Sequence, residues 1–234
     1  MTGSAHDGRR AAILALDCAT TQVIVASGSP DGRIDGLTTW QAGYRHGETL
    51  LPAIGRFLGE QNLRRSRLIG IVVGTGPGAF TGLRVGLATA KGLAHGLALP
   101  LVGISTGQAL LAAAMADLEV GDGTPVLLQP AGPADRILVR PGAAPVLLPA
   151  GTEPDLTPDE VLVAIDLDGR APDDALERGA VARAGMAAAL VRLGAARLAV
   201  GDVDDLAGLV PEYVTLPRGV RAEVGEVAWS HDRR

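Results

Sequence analysis

Short apolar runs separated by polar turns open the chain, at residues 11–16, 22–27 and 33–40. Runs of this length, bounded by Asp, Ser, Pro and Gly, predict strands joined by tight turns. Residues 49–60 follow, with Leu50, Ile54 and Phe57 at the spacing of one helix face. The pattern therefore predicts a three-stranded meander followed by an amphipathic helix.

The stretch 69–106 has the pattern of a strand, a turn, a helix and a second strand. An apolar run at 69–73 is followed by a turn rich in Gly and Pro, then by a helix over 81–96 and a new apolar run from Leu99. Parallel strands need a helical crossover, and strands that are covered on both faces are apolar throughout. These residues therefore predict a βαβ unit.

The helix at 81–96 contains many glycines for a helix interior. Each glycine costs about 1 kcal/mol relative to alanine, so packing has to compensate. Gly82, Gly86, Ala90 and Ala94 recur every four residues and form one flat stripe. Two interpretations remain open, because the stripe fits either the chain's own sheet or the backbone of another protein.

The second half of the chain has shorter apolar runs and more Pro and Gly. A helix from Ser105 to about Leu118 carries Leu110, Leu111 and Met115 at core spacing, and a break follows at 121–125. Further strands are predicted at 126–128, 136–139, 146–148 and 161–167, before a helix over 173–193. We expect an α/β protein with a disordered tail at 1–10, an N-terminal subdomain at 11–120, a C-terminal subdomain at 121–219 and a tail at 220–234.

Composition and charge add two points to this picture. Aromatic residues make up only 3% of the chain, so the core must consist of Ala, Val, Leu and Ile. The net charge is −5, yet the stretch 61–116 contains no acidic residue and five basic ones, Arg64, Arg65, Arg67, Arg84 and Lys91. Such a region either attracts an acidic partner or RNA, or is simply a solvated basic face.

Motifs for cofactors and metals are incomplete. Gly74, Gly76 and Ala79 fit a loose dinucleotide loop, but the acidic residue that holds the ribose is missing. Lys91 lies three helical turns too far along for a phosphate loop. His46 precedes the helix at 49–60, yet no second histidine lies four residues away, as a metal-binding helix requires. We expect no catalytic, cofactor or metal residues.

The single cysteine, Cys18, cannot form an intrachain disulfide, which favours a reducing compartment. The apolar run at 11–16 is too short for the core of a signal peptide. No apolar stretch approaches the roughly 18 residues that indicate a membrane helix. We expect a cytoplasmic protein that does not enter a membrane.

Several segments together resemble one family. The stretch GTGPGAFTGLRVGLATAKGLA resembles the Gly-Pro-Gly-(Ser/Ala)-Phe-Thr-Gly-Leu-Arg signature of the TsaB (YeaZ) family, whose members partner the tRNA threonylcarbamoyladenosine synthase TsaD. ILALDCATT, HGETLLPAI and VPEYVTLP are similar to that family's strand end, helix start and Pro-x-Tyr close. The resemblance implies the actin-like ATPase (ASKHA, RNase H-like) fold. It weakens at LLQPAGPADRILV, where relatives have Asp-Ala-Arg followed by Tyr, and Asp135 and Arg136 are the nearest match.

The family also implies a function and partners. It implies a non-catalytic subunit that forms a heterodimer with a TsaD-like enzyme, works with a TsaE-like ATPase, reaches tRNA through the complex and forms a homodimer when alone. The matching partner interface consists of residues on the helices at 49–60 and 81–96: Leu50, Ile54, Gly82, Leu83, Arg84, Gly86, Leu87, Ala90 and Lys91.

Two enzymatic alternatives remain. One is an ATP-binding enzyme of the actin-like superfamily, in which an aspartate at the position of Asp17 lies near metal and phosphate. The other is a metallopeptidase. We favour the interpretation of Asp17 as a turn residue that accepts hydrogen bonds from its own backbone.

Overall fold

Five strands form the first sheet. The computed structural model describes residues 11–41, 46–117 and 123–214. The sheet order is β3-β2-β1-β4-β5, and the strands are β1 Ala12–Asp17, β2 Gln22–Gly28, β3 Ile34–Gln41, β4 Leu68–Gly74 and β5 Leu101–Ile104. β1, β2 and β3 pair antiparallel, whereas β4 is parallel to β1 and β5. The predicted meander and βαβ unit are both confirmed.

A second mixed sheet follows in the chain. Its order is β8-β7-β6-β9, and its strands are β6 Thr124–Ala131, β7 Asp135–Val139, β8 Val146–Leu148 and β9 Glu160–Ala164. β6 is parallel to β9 and antiparallel to β7, which pairs antiparallel with β8. The α/β class with two mixed sheets is confirmed, while the exact subdomain boundaries stay a prediction.

Four α-helices cover these sheets in the described part of the chain: α1 His46–Glu60, α2 Phe80–Leu97, α3 Thr106–Asp117 and α4 Asp173–Ala199. The side chains of β1 alternate between two cores. Leu14 and Leu16 pack with α1 and α2, whereas Ile13 and Ala15 pack with α3 and α4. β1 is therefore buried along its whole length, as expected of a strand that is covered on both faces.

Helix α4 links the two sheets. Its buried residues Ala182, Met186 and Leu190 share one core with Val72 of the first sheet and Val163 of the second. By length and composition α4 is apolar enough to cross a membrane, but half of its most apolar stretch is buried inside the fold. We therefore interpret α4 as a core helix.

The expected core position of Met115 is wrong. Leu110 and Leu111 are buried, but Met115 is 55% exposed. The last buried residue of α3 is Ala114, and the helix continues past the core to Asp117. Correct helical spacing thus placed Met115 on the right face but beyond the end of the core.

The glycine stripe of α2 faces the end of β1. A Cβ atom added to Gly82 would lie 2.0 Å from the carbonyl oxygen of Cys18, and one added to Gly86 would lie 3.2 Å from the Cys18 sulfur. Ala90 and Ala94, which continue the stripe, are buried in the same core. Of the two interpretations of the stripe, the structure therefore shows packing on the chain's own sheet.

The glycines on the opposite side of α2 have no such contacts. A Cβ atom added to Gly92 would meet nothing within 4 Å. We predict that Gly82→Ala lowers the free energy of unfolding by about 1–3 kcal/mol, because backbone must move. The matched variant Gly92→Ala should raise it by about 0.5–1 kcal/mol, because a helical glycine is replaced without a clash. Denaturant unfolding of both variants measures this, and equal effects would contradict the packing of the stripe.

Candidate functional site

Asp17 is the buried charge at the carboxyl end of β1. Its side chain is completely inaccessible to solvent. The backbone N–H of Ala19 donates to its Oδ1 at 2.8 Å, and the hydroxyl of Thr106 donates to its Oδ2 at 2.6 Å. The bond from Ala19 confirms the predicted turn role. The bond from Thr106, which comes from α3, has no counterpart in the local sequence pattern.

Burial raises the pKa of Asp17 to about 6, although the hydrogen bonds from Thr106 and Ala19 oppose the shift. Gly74 on β4 completes the enclosure, because a Cβ atom there would lie 1.7 Å from Oδ2 of Asp17. The N–H of Gly76 donates to Thr106 Oγ1 at 3.1 Å. The carboxyl group thus holds β1, the glycine-rich loop and α3 together, and it does not reach the surface.

A cleft of about 880 Å³ opens between the two sheets beside this point. Its walls are the β1–β2 turn, the loop that precedes α2, the β6–β7 hairpin, the residues after β9 and the segment 212–214. Gln129 of β6 is buried and donates its Nε2 to the carbonyl oxygen of Pro77 at 2.9 Å. The loop before α2 is therefore fixed to the second sheet at the cleft.

Asp166 joins the two sheets at another wall of the cleft. It accepts hydrogen bonds from the Thr21 N–H at 3.1 Å and the Thr21 hydroxyl at 2.5 Å. Nη2 of Arg183, on α4, lies 2.7 Å from Oδ1 of the same carboxylate. The backbone of Asp166 has φ +55°, which is uncommon for a residue other than glycine. This cluster ties the β1–β2 turn to β9 and α4.

An aromatic and basic cluster lies where α2 begins. The guanidinium carbon of Arg84 is 4.2 Å from the ring centroid of Phe80, and Nε of Arg84 donates to the Tyr213 hydroxyl at 3.0 Å. The rings of Phe80 and Tyr213 are 5.3 Å apart. The backbone N–H of the neighbouring residue, Glu212, donates a hydrogen bond to the Thr75 carbonyl oxygen at 2.7 Å. The carboxylate of Glu212 accepts a hydrogen bond from the Ser105 hydroxyl at 3.0 Å. Partial burial raises the pKa of Glu212.

The nine residues predicted as a partner interface divide into two groups. Arg84 is exposed and Lys91 is partly exposed. The other residues are buried within the chain: Leu50, Ile54, Gly82, Leu83, Gly86, Leu87 and Ala90. This corrects the surface position expected for these seven, because the apolar face of α1 and the glycine stripe of α2 pack on the chain's own sheet. A docking role for this pair of helices stays a prediction.

The predicted metal and cofactor absences stay predictions as well. The side chain of His46 lies outside the described residues. Among the side chains that the structure does describe, no three His, Cys, Asp or Glu residues are close enough together to hold a metal ion. Asp135 and Arg136 begin β7, where Arg136 is buried and donates to the carbonyl oxygen of Thr152.

The sequence matches two related groups of proteins. The model of the family "TsaD: tRNA N6-adenosine threonylcarbamoyltransferase" matches residues 32–136. The tRNA threonylcarbamoyladenosine biosynthesis protein TsaB of Escherichia coli is 35% identical over 94 residues, which are 40% of this chain and 40% of that protein. The tRNA N6-adenosine threonylcarbamoyltransferase of Geotalea daltonii is 38% identical over 85 residues, 36% of this chain and 25% of that enzyme.

The chain is similar to TsaB over part of its length. The structure of YeaZ from Pseudomonas aeruginosa superposes with a TM-score of 0.65 over 87% of this chain and 100% of that one, at 23% identity. This likeness shows that the chain has the fold of YeaZ, in agreement with the predicted fold class. Its matched segments span 40% or less of the length of the curated relatives.

The burial of Asp17 predicts a pH dependence of stability. The folded chain keeps the Asp17 proton up to about pH 6, whereas the ordinary pKa is 3.8. The cost of the buried charge is therefore absent below about pH 4 and complete above about pH 6. Asp17→Asn removes this cost, so the stability of the variant relative to the unmodified chain should rise by about 3 kcal/mol between pH 4 and pH 7.

Denaturant unfolding at both pH values measures this difference. Asp168→Asn, at an exposed position, controls for the loss of one carboxylate. A stability difference between Asp17→Asn and the unmodified chain that stays constant from pH 4 to pH 7 would show that Asp17 is not desolvated.

Proposed function

We propose that this chain is the non-catalytic partner of a TsaD-type enzyme in the transfer of a threonylcarbamoyl group to the adenosine beside the anticodon of tRNA. Similarity to TsaB over 40% of the chain supports the pathway. The match of residues 32–136 to the TsaD model supports a fold that the two partners share. Partners with similar folds can present equivalent helices to each other, so we look for the contact on the helical layer.

The hydrogen bonds of two carboxylates, Asp17 and Asp166, support the absence of catalysis. Both oxygens of Asp17 accept hydrogen bonds from the chain itself, and the carboxyl group is enclosed. The carboxylate of Asp166 accepts hydrogen bonds from Thr21 and Arg183. A catalytic carboxylate has to reach its substrate, directly or through one water molecule. The enclosed Asp17 does not do so in this conformation, and both oxygens of Asp166, which lines the cleft, already accept hydrogen bonds from Thr21 or Arg183.

The observation that carries the proposal is a second line of residues, all but one of them Gly or Ala, that faces solvent. We call it the outward stripe, and it consists of Leu51, Gly55 and Gly59 on α1 and of Ala88, Gly92 and Gly96 on α2. Cβ atoms added at any of its four glycines would meet nothing within 4 Å. α1 and α2 pack in one core on the first sheet, so both parts of the outward stripe belong to the same helical layer.

The energetics favour a partner on this stripe. Each interior helical glycine costs about 1 kcal/mol, and no contact with the described residues repays that cost at Gly55 or Gly92. A helix of another protein that approached closely would repay it through backbone packing. Leu51 is 55% exposed and provides an apolar contact, while Arg84 and Lys91 add positive charge to α2. A TsaE-like ATPase as a third component and a homodimer of the free chain remain predictions.

A bulky side chain on the outward stripe should block docking without unfolding the protein. We predict that Gly92→Leu keeps or slightly raises the melting temperature, because leucine is a better helix former. Its affinity for the TsaD-type enzyme of the same organism should fall tenfold or more, which corresponds to about 1.4 kcal/mol. Calorimetric titration of the two purified proteins measures the affinity.

Ala180→Leu provides the matched control. Ala180 is exposed on α4, away from the outward stripe, so its replacement should leave the affinity unchanged. Normal binding by a folded Gly92→Leu variant would overturn the docking assignment. No binding by the unmodified chain would overturn the proposed partnership itself.

A further inference from the structure

The connection between α1 and β4 carries three exposed arginines within four residues. α1 ends in a turn with Asn62 at φ +52°, where the Leu63 N–H donates to Leu58 and the Asn62 N–H to Gly59. This arrangement is the Schellman motif, and it satisfies the last carbonyl groups of the helix. A single 3₁₀ turn, Arg65–Arg67, follows directly. We call residues 64–67 the arginine turn.

The arginine turn is anchored at both ends. Leu63 is partly buried and Leu68 is 4% exposed, and both pack in the core beneath α1 and α2. The N–H of Arg67 donates to the carbonyl oxygen of Arg64 at 2.9 Å. The backbone of the turn is therefore held by hydrogen bonds and by the core, while all of its side chains, Arg64, Arg65, Ser66 and Arg67, are exposed.

These arginines lack the acceptors that most other described arginines have. Arg183 pairs with Asp166, Arg140 with Glu160 and Arg197 with Asp202. Within the described ranges, no carboxylate lies within 4.0 Å of Arg64, Arg65 or Arg67, and the sequence from 61 to 116 contains no acidic residue. Three guanidinium groups on one short turn thus keep their hydrogen-bond donors free for an external anion.

The geometry of the turn brings two of the charges together. The hydrogen bond from the Arg67 N–H to the Arg64 carbonyl oxygen closes a tight turn. The Cα atoms at the two ends of such a turn are less than about 7 Å apart, so Arg64 and Arg67 lie close together. Like charges at such a spacing repel each other, and a row of phosphates relieves the repulsion. Planar guanidinium groups also match phosphate oxygens in pairs.

We propose that the arginine turn binds the phosphate backbone of RNA. This inference rests on the proposed function, which supplies an RNA substrate, and it adds a direct contact between this chain and that RNA. A protein partner fits less well, because protein interfaces have an apolar centre, and every side chain of residues 64–67 is polar. The turn follows α1 directly, so RNA bound here would lie beside the outward stripe.

The test uses the full chain, alone and mixed with the TsaD-type enzyme, and a fluorescent unmodified tRNA transcript. The variant is Arg64→Gln/Arg67→Gln, which removes two charges and keeps polar side chains. The matched control is Arg33→Gln/Arg192→Gln, which removes the same charge at exposed positions elsewhere. Fluorescence anisotropy over a series of salt concentrations gives the affinity and the slope of log K against log salt.

Each phosphate contact contributes about 0.7–0.9 to this slope. The Arg64→Gln/Arg67→Gln variant should therefore lose about 1.5 from the magnitude of the slope and about tenfold in affinity at low salt, while the control stays unchanged. Equal losses in variant and control would overturn the proposal, because they indicate an effect of net charge alone. An unchanged slope in the variant, or no tRNA binding by the unmodified chain in either state, would overturn it as well.

The two proposals fail in different ways. If the variant binds tRNA normally but no longer binds the TsaD-type enzyme, the arginine turn docks an acidic protein surface and the RNA contact is wrong. If the unmodified chain binds tRNA through the arginine turn but never binds the TsaD-type enzyme, the RNA contact stands and the proposed partnership is wrong.

Discussion

The close approach of α2 to the carboxyl end of β1 is the constraint on which the rest of the structure depends. The helix backbone is so near the strand that a Cβ at Gly82 would collide with the Cys18 carbonyl. The Ala79 N–H, one residue before α2, donates to the Ala19 carbonyl at 2.7 Å. This contact fixes the glycine-rich loop above Asp17, and the loop in turn accepts the hydrogen bonds that hold α3.

The same constraint shapes the cleft. With the loop fixed on one side, three further connections join its walls: Gln129 to Pro77, Asp166 to Thr21, and the segment 211–214 to α2 through Tyr213 and Arg84. These hydrogen bonds hold the β1–β2 turn, the loop before α2 and the second sheet together around the cleft.

Much of the fold could be predicted because its signals are local. Apolar runs and turn residues predict β1 to β4 within one residue of their observed ends and the start of β5 within two residues. The buried face of α2 is harder to predict, because Gly82 and Gly86 have the same four-residue spacing as Gly92 and Gly96. Neighbouring residues distinguish the two faces: Leu83 and Leu87 flank the buried one, whereas Lys91 and His95 flank the exposed one.

The long-range polar contacts could not be predicted in this way. Thr21 and Asp166 are 145 residues apart in the chain, and nothing near either residue indicates the other. The same holds for Thr106, 89 residues from Asp17. Asp166 could have been noticed only from its backbone conformation, since hydrophobic periodicity does not report positive φ angles. Helix boundaries were also approximate, because α4 continues six residues beyond the predicted end at 193.

Hydrogen–deuterium exchange of the chain with and without the TsaD-type enzyme tests the central claim that the helical layer, and not the cleft, receives the partner. The account predicts that complex formation slows amide exchange in residues 50–60 and 84–97 and leaves residues 129–135 of the cleft unchanged. Slower exchange confined to residues 129–135, with both helices unaffected, would contradict it.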